Sequence, residues 1–467
     1  MRRHHSIPQR KGEQGIVITL VAVVMASVVI VMAALAIDLT TLYTARSEAQ
    51  LAADGAALAG ARVLASSGMT SSEGYVPAFD TATAESLATT VAVQVASSNL
   101  VGGKALSGTG TCGAAGISVC FNVADVSNPR VTVQVGRTDL PTFFLRFWRT
   151  TLAVSASATA EAYNPSGLSS RRHRADPIAP VCVKPWLLPN LDPTQTTNNA
   201  IFDRRDGTIE NFQLIGQGWP NTNPPSPNGK GLVSHAVPYV GGTASAPANG
   251  QYYAGLIDAA DFPVPTKALP ACSSGFSTYD YMLAVAGCVP QPIPCGFGAT
   301  INIDTGAYVP LNANRDADTA EAVECLTHYN GAVGDTDSIA GETTPPLPPP
   351  SSITPPFEFV GGNQNPVAGA QGQNVVISDS IVTIPVYDTG VNTGFPAPVP
   401  TNPVTVIGFL QVFLNPQSNT LPDPTGTGPY QIPVTIINQI GCGTRSGGTF
   451  VYGNGPSAVP VRLITPP

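Results

Sequence analysis

The chain has 467 residues, enough for two or three domains and a sizeable core. Only 11% are charged and the formal net charge is −8; so sparse and acidic a surface argues against nucleic-acid binding. The 46 Gly and 45 Pro make up about a fifth of the chain, below the range that marks disorder, and suit a loop-rich β protein.

Residues 1–15 form a basic tail with Arg2, Arg3, Arg10 and Lys11, too short to fold alone. The next stretch, Ile16 to Ile37, has neither charge nor proline. As a helix it is roughly 33 Å long, enough for a ~30 Å hydrocarbon core. Ile16, Leu20, Val24, Val28, Met32 and Leu35 are its anchor positions in the lipid bilayer. A cleaved signal peptide is the rival reading, with Ala33–Ala36 as the cut site, but its apolar core spans only about 7–15 residues. The basic flank sets the N-terminus in the cytoplasm and residues 38–467 outside it.

Asp38 to Arg62 is rich in Ala and continues the helix as a stalk. Leu35, Leu39, Leu42, Arg46, Ala49 and Ala53 follow a three-to-four spacing. Small residues suit close packing against the chain's own domain or a partner helix, so homo-oligomer contact through the stalk stays open.

Several motifs recur together here. They are the lead Lys11-Gly12-Glu13-Gln14-Gly15, the span, Ala36-x-Asp38, Leu42-Tyr43, Arg46, Gln50 and the string from Ala52 to Ala61. Together they resemble the N-terminal region of TadG-like proteins of the tight-adherence (Flp) pilus assembly systems. Asp38, Tyr43, Arg46, Gln50, Asp54 and Gly60 carry the stalk part of the motif. The resemblance is specific from residue 11 to about 65 and looser to about 163. It implies a single-pass protein of the inner (cytoplasmic) membrane, with other pilus-assembly or secretion-system envelope proteins as partners and no cofactor. Related prepilins keep a Glu five residues after a cleavage-site Gly; here Val17 follows Gly12 at that offset and Leu20 follows Gly15. The chain therefore reads as an anchored assembly protein rather than a processed subunit. Some full-length relatives add a von Willebrand A-type domain, whose Asp-x-Ser-x-Ser motif fails here at Pro129.

Residues 79–98 read as a second helix with Leu87, Val91 and Val95 on one side and Thr/Ser on the other. Ile117–Val123, Arg130–Gly136 and Leu152–Tyr163 read as strands, with Val131, Val133 and Val135 alternating onto one buried face. The aromatic patch Pro141–Trp148 is read as core, with membrane or partner contact as the alternative. The span is followed by a stalk and small membrane-proximal α+β domain over 38–163, then a linker over 164–180 containing Arg171–Arg174. A β-rich extracytoplasmic domain fills 181–467. Its strand candidates are Gly207–Trp219, Tyr239–Tyr253, Ile301–Pro310, Val375–Val386, Val404–Leu414, Ile432–Ile437 and Val459–Thr465; Thr319–His328 is its one helix. The fold class is α+β, a transmembrane helix leading to a disulfide-linked, β-rich body.

Eight cysteines, Cys112, Cys120, Cys182, Cys272, Cys288, Cys295, Cys325 and Cys442, all follow the span and read as disulfides in an oxidising compartment. Cys112–Cys120 is the easiest pair. Chain proximity then suggests Cys272–Cys288 and Cys295–Cys325, leaving Cys182–Cys442, although eight cysteines allow about 105 connectivities. Cys288, Cys295, Cys325 and His328 could instead bind zinc. Asn312, Asn314, Asp316 and Asp318 have calcium-loop spacing but lack its Gly and Glu. No nucleophile elbow or zinc-protease motif is present. A hydrolase would have to use His235 or His328; Asp203, Asp206, Asp258 and Asp261 read as turn formers. The sequence thus favours a non-enzymatic, membrane-anchored envelope protein, ahead of a tethered adhesin or carbohydrate-binding protein and of an uncharacterised hydrolase.

Overall fold

The computed structural model describes residues 13–72, 79–140, 142, 152–166, 176–191, 200–210, 215, 255–257, 280–296, 298–302, 315–332, 334–341, 355–390, 403–414, 434–442, 450–452 and 457–464. The basic tail to Gly12, Phe143–Trp148, Arg171–Arg174, His235, Tyr239–Tyr253, Asp258, Asp261, Cys272 and residues 303–310 lie outside them.

The first helix, α1 (Glu13–Ser66), joins span and stalk without a break over 54 residues. At 1.5 Å per residue that is roughly 80 Å. Its continuity follows from a run free of proline, with β-branched Val and Ile in the span, where lipid demands internal hydrogen bonds, and Ala in the stalk. It stops at Gly68, whose φ of 84° is the left-handed region, and a Cβ there would meet the Phe357 ring at 2.8 Å. A short 3-10 turn, Met69–Ser71, follows. Helix α2 (Thr81–Ser98) is capped by Asp80, which accepts Thr83 N at 3.2 Å and the Thr83 hydroxyl at 2.5 Å. These bonds favour the ionised carboxyl and hold it below its usual range.

The chain divides into two compact units, and α1 contributes to each. The first holds residues 1–56, 93–120 and 133–158. It contains the hairpin of β1 (Leu100–Val101) and β2 (Lys104–Ala105), and parts of β3 (Ile117–Asn122), β4 (Arg130–Leu140) and β5 (Leu152–Ala162). Val133 and Val135 here, and Val131 in the second unit, are fully buried, as their alternation requires.

The second unit holds residues 57–92, 121–132 and 159–467. In chain order it adds β6 (Ile178–Ala179), β7 (Trp186–Pro189), β8 (Gly255–Leu256), α3 (Asp280–Ala286), β9 (Thr300–Ile301) and α4 (Arg315–Thr327). It continues with β10 (Ser338–Ile339), β11 (Phe359–Val360), β12 (Asn374–Val375), β13 (Ile381–Tyr387), β14 (Val404–Leu414), β15 (Val434–Gly441), β16 (Val451–Tyr452) and β17 (Val461–Ile464). Its main sheet has the order β15-β14-β13-β7-β8, with β9 on β14. The β13–β14 and β14–β15 pairs are antiparallel and β13–β7 is parallel. Val382, Ile384, Leu410 and Val412 pack with Val285 of α3 and Val323 of α4. Leu187, Val406, Phe409 and Ile440 pack in a second cluster with Cys295, Cys442 and Ala65. Burial in both clusters explains why these strands read as continuous apolar runs. β17 returns to the N-terminal sheet, with Val461 opposite Ala162 and Ile464 opposite Thr159.

The disulfide scheme needs correction. Cys112 bonds Cys120 as expected, but Cys182 bonds Cys288 and Cys295 bonds Cys442. The topology supplies the reason. Residues 289–295 run beside 178–182: Cys182 N donates to Val289 O, Ile293 N to Pro180 O and Cys295 N to Ile178 O. Gly296 N and Cys442 N then reach the adjacent carbonyls of Val406 and Ile407 on β14. Cys325 is also disulfide-bonded. With Cys288, Cys295 and Cys325 all oxidised, the zinc alternative fails. Of the calcium-loop residues, Asp316 and Asp318 lie inside α4, whereas Asn312 and Asn314 lie outside the described residues. Asp203 and Asp206 do form turns, accepting Arg205 N at 2.6 Å and Thr208 N at 3.1 Å.

Candidate membrane anchor and stalk interface

Along the apolar run of α1 the anchor side chains stand free. Ile16, Leu20, Val24, Val28, Met32 and Leu35 are 52–70% exposed. Within Gly15–Ser66, the most apolar 18-residue window has mean hydropathy 3.0 and no buried residue. Nothing in the described fold covers this surface, so lipid is the environment that removes it from water.

A buried stripe begins before the run ends. Ala34 and Asp38 are 4% and 2% exposed, and Ala45, Ala49, Ala52, Ala53 and Ala56 continue the stripe at 0–1%. The spacing is helical, and of the residues spaced three to four apart in the sequence Ala49 and Ala53 lie on it. Leu35 and Leu39 are exposed, and Arg46 points to solvent. The reason is steric. In the first unit Gly102 N donates to Glu48 Oε2 at 2.7 Å, and a Cβ on Gly102 would lie 3.8 Å from Ala45 Cβ. Leucine at such a contact would push the elements apart. The same holds for α2, where Ala84, Ala88, Ala92 and Ala96 are fully buried and Leu87, Val91 and Val95 are only half-buried.

The stalk motif therefore divides between two faces. Asp38 and Gly60 turn inward. In the second unit, a Cβ on Gly60 would meet Val131 Cγ1 at 3.1 Å and Ala92 Cβ at 3.5 Å. Tyr43, Arg46 and Gln50 turn outward, and Tyr43 is 66% exposed. Gln50 Nε2 donates to Asp54 Oδ1 at 2.7 Å and to the Ser157 carbonyl at 3.4 Å.

Sequence reasoning missed the joint at the far end of α1, in the second unit. Asn438 on β15 is fully buried and makes four bonds there. Its Nδ2 donates to Ala65 O and Gln411 Oε1, each at 2.6 Å. Its Oδ1 accepts the Thr70 and Ser71 hydroxyls, each at 3.2 Å. Asn164 Nδ2 adds bonds to Thr70 O and Gln439 O, each at 3.0 Å. Ala65, Thr70 and Ser71 lie more than 360 positions from Asn438 and leave no local pattern in the chain. The end of the stalk is thus built into the β-rich body.

Lys184 is a second buried polar group, 3% exposed. Its Nζ donates to Val285 O at 2.6 Å and Gly287 O at 2.8 Å, at the C-terminal end of α3. Burial pushes its pKa down to about 7, while Asp379 pulls the other way. His328, the described candidate for a hydrolytic base, has Nε2 2.9 Å from Asp379 Oδ2, and it sits in left-handed backbone just after α4. The pair closes the helix end and has no serine among its described partners.

No curated protein and no solved structure matches the chain. Residues 17–63 match the family model described as Putative Flp pilus-assembly TadE/G-like. That segment covers most of the span and nearly all of the stalk, and ends where α1 enters the polar joint. The N-terminal helix is long and apolar enough to cross a membrane, and over residues 17–63 it is similar to the TadE/G-like Flp pilus-assembly family.

Proposed function

We propose that the chain is a non-enzymatic, bitopic envelope protein that takes part in Flp pilus assembly or allied secretion through protein–protein contacts. The Tad-domain match on α1 carries this reading, because it falls on the helix that is lipid-facing at one end and packed by its own body at the other. Residues 16–37 anchor the protein in the inner membrane, residues 1–15 remain in the cytoplasm, and the body from Asp38 onward lies outside. The basic flank supports that orientation. So do the disulfides, which persist in oxidising compartments. The stalk sets the height of the body above the bilayer, and the body presents the partner surface.

Orientation is tested by alkaline phosphatase fused after residue 70: activity is expected, and activity of a cytoplasmic reporter there would reverse the topology. The assembly role is tested by purifying the full-length protein from solubilised host membranes. Recovery of pilus-assembly or secretion proteins is the expected result. Their absence, combined with retention on glycan beads, would replace this reading with a tethered adhesin.

A further inference from the structure

A strand at the border of a sheet presents a row of N–H and C=O groups, and folded proteins cover or blunt it. In the sheet β17-β5-β4-β3, one border is covered. Gly110 O accepts Val119 N of β3 at 3.0 Å, and Cys112–Cys120 fastens that covering segment. The other border is β5. β17 pairs with Thr159–Ala162 and stops. Among the described residues, nothing pairs with Leu152–Ala158 on that side.

The direction of these groups follows from parity. Tyr163 N donates to Pro460 O, so odd-numbered residues of β5 turn their N–H and C=O toward the β17 side. By the two-residue period, Ala153, Ser155 and Ser157 do the same. Those residues are exposed, whereas Val154, Ala156 and Ala158 between them are buried. The stalk motif borders this row: Gln50 reaches the Ser157 carbonyl, and exposed Tyr43 stands two turns earlier on the same stripe of α1.

We propose that the open edge of β5 at Ala153, Ser155 and Ser157 accepts an antiparallel strand from a different envelope protein, flanked by Tyr43 and Gln50. The lane continues that of β17, which fixes the direction of the added strand. Its inward side chains fall beside Tyr43, so it carries apolar residues at alternate positions and no proline. A twofold pairing of β5 edges from two copies does not fit. In the first unit Gly102 brings Leu140, at the end of β4, to the level of Ala45, and Ser157 lies at the level of Gln50. β5 therefore runs in the same sense as α1. Copies standing in one membrane would present their β5 strands parallel. A twofold axis along them sets odd residues against odd, whereas a parallel ladder needs a one-residue stagger. That exclusion rests on the anchored reading above; the open edge does not.

The test uses the full-length chain in host membranes, with a photo-crosslinking residue at Ala153. The expected adduct joins it to an alternating apolar segment of another protein, identified by mass spectrometry. Ser157→Pro removes an N–H that faces the lane and no bond inside the sheet, so adduct yield should fall at least tenfold with an unchanged melting temperature. Ser155→Lys, which leaves the backbone intact, should do the same. An adduct to a second copy of this chain, no adduct, or a yield unmoved by both variants overturns the proposal. The phosphatase fusion reads topology independently of these outcomes.

Discussion

Replacing Asn438 with alanine tests the joint between stalk and body. Among the described residues, the variant leaves the Gln411 oxygen and the Thr70 hydroxyl without a partner and takes one donor from the Ala65 carbonyl. Ser71 keeps its bond to the Gln439 carbonyl. A buried polar group without a partner costs about 1–3 kcal/mol, so three groups with partial relief from entering water give a loss of about 4 kcal/mol. With an unfolding entropy near 2.1 cal/mol/K per residue and a body of roughly 300 residues, the melting temperature should drop by about 6 °C. Near-ultraviolet circular dichroism of the detergent-solubilised protein would read it. Hydrogen exchange should quicken together at Leu64–Ser72 and Val434–Gly441, because the network spans both. Asn438→Asp keeps the acceptor but loses the donors at neutral pH, and protonation restores one of them. That variant should therefore be more stable at pH 4 than at pH 7, relative to the parent. A melting temperature within about 1 °C of the parent for Asn438→Ala would refute the reasoning.

Gly60→Leu should destabilise the protein by about 2–3 kcal/mol by forcing α1 from Val131 and Ala92; Gly60→Ala should be near neutral, since about 1 kcal/mol of helix propensity offsets the 3.1 Å contact. Denaturant unfolding distinguishes the two. Lys184 titrates near 7 when folded against 10.5 unfolded, so the unfolded chain holds more protons between those values and stability rises with pH there. Lys184→Met should flatten that rise in unfolding curves taken from pH 7 to 10, and an unchanged slope would show that the ammonium is not desolvated. On the loop-entropy model, Cys295–Cys442, with a sequence separation of 147, should contribute about 5 kcal/mol and Cys112–Cys120, with a separation of 8, about 2.5 kcal/mol. Paired Cys→Ala variants measure both, and non-reducing peptide mapping checks the connectivity.

The anchor was legible because 22 residues without charge leave little else for the segment to be. β13, β14 and β15 were legible for a similar reason: both faces are buried, so their sequence is densely apolar and β-branched. The phase of the stalk was not. The three-to-four spacing reached Ala49 and Ala53, which are buried, but also Leu35 and Leu39, which are exposed, because close packing selects alanines such as Ala45 and Ala52. Helix α3 was missed because seven residues, Asp280–Ala286, are too few to show a helical period. Disulfide pairing follows which strands are neighbours, and β14 brings Cys295 and Cys442 together across 147 positions. The outward half of the stalk motif was visible as residues, but only the end of β17 at Thr159 shows what Gln50 stands beside.

The central claim is that an anchored chain serves pilus assembly, and the direct measurement is a count of surface pili on host cells by electron microscopy. Cells lacking the protein should be bald, and the full-length chain should restore pili. A version with a cleavable signal peptide in place of residues 1–37, exported and folded with Cys295–Cys442 intact, should not restore them. Normal piliation without the protein, or full restoration by the unanchored form, would contradict the account.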